Sequence, residues 1–67
     1  MKIYVNGEER EVAEGMTVAE LLALLAMQGR RLAVEVNEEI VPRSEHERRR
    51  LSPGDRVEVV QAIGGGM

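Results

Sequence analysis

Apolar and polar residues alternate from the start of the chain, with Met1, Ile3 and Val5 interleaved with Lys2, Tyr4 and Asn6. A period of two sends alternate side chains to a core and to water, which predicts a half-buried strand. Asn6-Gly7 follows, and both residues tolerate the positive φ that a two-residue hairpin turn requires. A return strand is predicted over Glu8 to Ala13, with Val12 inward and the charges outward, until Glu14-Gly15 breaks it. The spacing then becomes helical: Val18, Leu21, Leu22 and Leu25 form one stripe, and Leu24 widens it. Thr17-Val18-Ala19-Glu20 is a capping box at its head. The helix is predicted to continue to about Gln28, with Gly29 placed for the left-handed residue that ends it. Alternation returns at Leu32, Val34 and Val36. Asn37-Glu38-Glu39 reads as a turn, and Ile40-Val41 as a short run stopped by Pro42. Arg43 to Arg50 is charged and irregular, with room for one helical turn. Ser52-Pro53-Gly54-Asp55 is a turn, and Arg56 to Ile63 is the last strand.

A lone helix stripe must be buried against one face of a sheet, so the expected class is α+β in two layers. The chain has 67 residues, a single domain in which roughly 60% of the unfolded surface is buried. The absence of cysteine excludes disulfides, thiolate metal sites and a cysteine nucleophile. His46, the only histidine, cannot build a metal site by itself and is expected at the surface. A net charge of −3 argues against a general nucleic-acid binder. Arg48, Arg49 and Arg50 stand beside Glu45 and Glu47, which reads as a solvated loop. The longest apolar run, Leu21 to Met27, is far short of the ~20 residues that span a bilayer. Polar residues follow Val5 at once, unlike a signal peptide, so a cytoplasmic monomer is expected.

The end of the chain carries the chemistry. A folded domain is predicted over residues 1–63, and Gly64-Gly65-Gly66-Met67 forms a tail. Glycine packs nothing and loses much entropy when ordered, so such a tail adds little stability. It does make a thin run of backbone able to enter a narrow active site on another protein. If Val57 and Val59 face the helix, Val60 and Ala62 share the outer face of the sheet, to which Tyr4 also points. Tyr4, Val60 and Ala62, with Ile63 at the root of the tail, are the predicted docking surface for a partner.

The segment Val36-Asn37-Glu38-Glu39-Ile40-Val41-Pro42-Arg43 resembles the ThiS sulfur carriers of thiamine biosynthesis. So do Asn6-Gly7, Thr17-Val18 with Leu21-Leu22, Gly54-Asp55, and the run from Val59 to Gly66. The resemblance implies a β-grasp fold like that of ubiquitin, with a mixed sheet of four to five strands on one helix and the last strand central, beside the first. It further implies that Gly66 is adenylated with ATP by a ThiF-like adenylyltransferase. A sulfur source then converts it to a thiocarboxylate that serves a ThiG-like thiazole synthase. Gly64 and Gly65 would thread the partner's active site. The carrier would be a co-substrate rather than an enzyme, with no cofactor of its own. Met67 departs from the family, because it ties up the glycine carboxylate; a processing protease would have to remove it first. The residues leave open a carrier serving molybdopterin, tRNA thiolation or amino-acid biosynthesis. They also leave open a ubiquitin-like modifier or a plain binding module.

Overall fold

A computed structural model describes residues 1–27 and 31–61. The elements are β1 (Lys2–Val5), β2 (Glu8–Glu11), α1 (Val18–Leu24), β3 (Leu32–Val36), β4 (Glu39–Val41), a 3₁₀ turn (Arg43–Glu45) and β5 (Arg56–Gln61). The five strands form one mixed sheet in the order β2-β1-β5-β3-β4. β5, the last strand in sequence, lies at the centre: parallel to β1 on one edge and antiparallel to β3 on the other. This is the β-grasp arrangement, with two hairpins clasping a central strand and one helix across one face.

Alternation explains the layering. Ile3 and Val5 of β1, Val57 and Val59 of β5, and Val34 and Val36 of β3 are buried against Val18, Leu21 and Leu22 of α1. Both hairpin turns depend on left-handed residues, with φ of 50° at Asn6 and 85° at Gly7, and of 53° at Asn37 and 71° at Glu38. These positive angles match the right-handed twist of the flanking strands.

The capping box is present: the Glu20 amide donates to Thr17 Oγ1 at 3.1 Å, and the Thr17 amide donates to Glu20 Oε1 at 2.9 Å. The irregular crossing after Pro42 supplies two more caps. The amides of Val18 and Ala19, which have no partner inside the helix, donate to the carbonyls of Arg49 and His46 at 2.9 and 2.8 Å. Leu51 is buried and anchors the end of that crossing.

Three sequence expectations need correction. The helix ends at Leu24 rather than near Gln28, and its left-handed terminal residue is Ala26, with φ of 57°. Met27 donates to the Leu22 carbonyl at 2.9 Å and Ala26 to that of Ala23 at 3.1 Å, a complete Schellman closure. Gly29 lies outside the described residues. Leu24 does not widen the buried stripe, because it is 58% exposed. His46 is buried rather than superficial, with Nε2 3.1 Å from the Val41 carbonyl oxygen.

Candidate functional site

The residues expected to do the chemistry follow the exit end of β5. Ala62, Ile63, Gly64, Gly65, Gly66 and Met67 lie outside the described residues. What the structure defines is the strand that carries them and the face beside it. Main-chain groups of successive residues in β5 turn to opposite neighbours. On the β3 edge, pairing continues to Gln61, opposite Leu32. On the β1 edge, residue-to-residue pairing stops at Val57, opposite Val5. The Asn6 amide then donates to the Val57 carbonyl at 2.8 Å. The Asn6 side chain reaches one step further: Oδ1 accepts from the Val59 amide at 2.9 Å, and Nδ2 donates to the Val59 carbonyl at 3.4 Å. The sequence points only to a turn role for Asn6, because nothing local signals a contact across 53 residues.

A related network holds the entry end of β5. The Asn37 amide donates to the Arg56 carbonyl at 2.7 Å, and Asn37 Oδ1 accepts from the Arg56 amide at 3.0 Å. Asn37 Nδ2 in turn donates to Oδ1 of Asp55 at 3.0 Å, while Oδ2 of Asp55 accepts from the Ser52 amide at 2.8 Å. Both ends of the central strand are therefore tied by asparagine side chains that act as added pieces of main chain.

The outer face of the sheet has two regions. Val60 is 59% exposed and stands opposite Ala33, in the row nearest the strand exit. Glu58 and Glu35 face each other in the next row, with Ile40 of β4 opposite Glu35 and 74% exposed. Tyr4 is half-buried and stands opposite Arg56 and Glu9. Tyr4 and Val60 therefore share a face but do not meet: four residues of strand separate their rows, roughly 13 Å. Ala33 and Ile40 are the apolar neighbours that the sequence did not single out. Their grouping with Val60 follows from strand register, which alternation within one strand cannot supply. Among the described residues there is no cluster of three or more His, Asp or Glu arranged to hold a metal. Among them, too, no helix is long and apolar enough to cross a membrane.

The model of the ThiS family matches residues 3–66, nearly the whole chain. The chain belongs to the ThiS family. The match runs through the glycines and stops before Met67. The sulfur carrier protein ThiS of Escherichia coli is 35% identical over 98% of this chain and 100% of its own length. A thiamine biosynthesis protein, ThiS, of Geobacter metallireducens superposes with a TM-score of 0.86 at 36% identity, covering 98% of this chain and 100% of that one. A thiazole synthase of Paramagnetospirillum magneticum is 47% identical over 98% of this chain, yet the match takes up only 20% of that protein. The same 20% share holds for the thiazole synthase of Magnetococcus marinus, 39% identical. The ThiS-family chain thus spans a fifth of the length of these enzymes and is similar to one segment of them.

Proposed function

We propose that this ThiS-family chain is the sulfur carrier for thiazole formation in thiamine biosynthesis, working as a co-substrate of other enzymes. The observation that carries the reading is the family match over residues 3–66, together with full-length similarity to a sulfur carrier. In this reading Met67 is removed by a processing protease, and Gly66 becomes the terminal acyl group. Its carboxylate attacks the α-phosphate of ATP in a ThiF-like adenylyltransferase; pyrophosphate leaves and an acyl-adenylate forms. Hydrosulfide then attacks the acyl carbon and AMP leaves. A persulfide serves equally if a second thiol afterwards breaks its S–S bond. The product is a thiocarboxylate, the activated sulfur handed to a ThiG-like thiazole synthase. Support for that acceptor comes from thiazole synthases that contain a segment similar to this chain.

Gly64 and Gly65 thread the partner's channel, where a side chain would obstruct passage. The folded body supplies binding energy far from the reacting carbon, and that energy positions the acyl group. Docking uses the outer face around Val60, with Tyr4 at its far margin, together with Ala62 and Ile63, which follow β5 in sequence. The like-charged pair Glu35 and Glu58 in this face suits a partner surface bearing Lys or Arg, because like charges directly opposite one another destabilise the free sheet.

The test is intact-mass measurement of the chain ending at Gly66, incubated with ATP, a ThiF-like enzyme and a sulfide source. The expected gain is the difference between sulfur and oxygen, and Gly66→Val abolishes it with the fold intact. An unchanged mass, with a partner enzyme proven active on its own carrier, would refute the reading.

A further inference from the structure

We propose that Asn6 is a positioning residue for the terminal acyl transfer: its carboxamide replaces the main chain of β1 beside Val59 and so fixes the direction in which β5 delivers the tail. The proposal rests on the sulfur-carrier reading for its kinetic consequence and on the described residues for its geometry.

Alternate residues of β5 turn their amide and carbonyl to the same edge. Val57 and Val59 therefore face β1, while Arg56, Glu58 and Val60 face β3. The main chain of β1 satisfies Val57 and then turns away, with Asn6 at φ of 50°. Val59 would be left with one edge open. Its amide and carbonyl are instead met by Oδ1 and Nδ2 of Asn6, at 2.9 and 3.4 Å. A carboxamide is the side-chain group that carries one acceptor and one donor in the arrangement of a peptide. Aspartate would offer a second acceptor where Val59 presents a carbonyl. Serine is too short to reach both groups.

Asn37 is the natural comparison. It is the same residue type, at the same first position of a left-handed turn, with φ of 53°. It also ties β5 through its side chain, but at the entry end, where Oδ1 accepts from the Arg56 amide at 3.0 Å. The two asparagines thus hold opposite ends and opposite edges of one strand, and only the Asn6 end continues into the tail. With Asn6 lost, β5 beyond Val57 is held by β3 alone, and a ribbon paired on one edge twists more freely. Seven residues separate Val59 from Gly66, up to roughly 23 Å when extended. A change of a few degrees at Val59 therefore redirects the strand end from which the tail departs. Misplacement of a reacting group by about 1 Å costs up to about a hundredfold in rate.

The experiment compares Asn6→Gly with Asn37→Gly in the chain ending at Gly66. Glycine adopts the turn angles without strain, so each variant removes a carboxamide and keeps the hairpin. Both are assayed well below their melting temperatures, with ATP and a ThiF-like enzyme, for pyrophosphate release. Amide hydrogen exchange is measured in the absence of any partner. Asn6→Gly is expected to lower kcat about tenfold with KM changed less than about twofold, and to speed exchange at Val59. Asn37→Gly is expected to lower the melting temperature but leave kcat and exchange at Val59 unchanged. Equal kcat losses in the two variants, or none in Asn6→Gly, would overturn the proposal, since either result makes Asn6 merely structural. If the unaltered chain releases no pyrophosphate, the sulfur-carrier reading fails. The exchange data then decide alone, and equal exchange at Val59 in both variants defeats the positioning role.

Discussion

Asp55→Ala removes the carboxylate that ties the turn before β5 to the turn after β3. Asp55 is buried to 9% exposure, and both of its oxygens are used: Oδ2 accepts from the Ser52 amide at 2.8 Å and Oδ1 from Asn37 Nδ2 at 3.0 Å. Hydrogen bonds to a charged group contribute about 1.5–3 kcal/mol each when buried. The donor residues here are exposed, so water replaces part of the loss, and the expected cost is about 2–3 kcal/mol for the pair. A chain of this length has roughly 3–10 kcal/mol of stability in total. The substitution should therefore lower the melting temperature by roughly 10–20 °C, at about 4–8 °C per kcal/mol for small domains. Thermal and urea unfolding followed by circular dichroism measure it. Asp55→Asn makes the reasoning sharper. Its side chain nearly matches the aspartate in shape but offers one acceptor, so an amide NH₂ must confront either the Ser52 N–H or Asn37 Nδ2. Its cost should approach that of alanine. A melting temperature for Asp55→Asn within about 2 °C of the unaltered protein would show that two acceptors are not needed, and would sink the explanation.

Two further outcomes are expected. Ala26→Gly should stabilise the protein by about 0.5–1 kcal/mol, because alanine at φ of 57° pays a steric penalty that glycine avoids; a lower melting temperature would contradict this. Val60→Ser should raise KM for the adenylating partner about tenfold while costing at most about 1 kcal/mol of stability, since Val60 is 59% exposed and its loss opens no cavity. An unchanged KM would remove Val60 from the docking face.

The strands, the hairpin turns and the start of the helix were legible because their causes are local. Thr17 and Glu20 lie three residues apart, and Asn6-Gly7 needs only its own backbone freedom. The sequence places the helix end too late because glycine is the usual left-handed cap, whereas here Ala26 takes that conformation, with its own amide bonded to Ala23 and that of Met27 to Leu22. His46 was placed at the surface because its neighbours in sequence are charged. Its burial comes from packing against the head of α1, where its carbonyl receives the Ala19 amide. The apolar part of the outer face was read only within one strand. Ala33 and Ile40 join Val60 through cross-strand register, and the Asn6–Val59 contact through the closure of the whole sheet. The resemblance to the family rests on the order of several motifs along the chain, and the match over residues 3–66 bears out the family.

The central position of β5 governs when the molecule can exist at all. During synthesis, a nascent chain that has not yet released Arg56 to Gln61 holds two hairpins with nothing between them. Joining Val59 to Asn6 closes 53 residues, an entropic cost of about 3.5 kcal/mol that no earlier portion of the sheet can offset. The body and the strand leading into its tail therefore mature in one event. A product that stops before Gln61 presents neither.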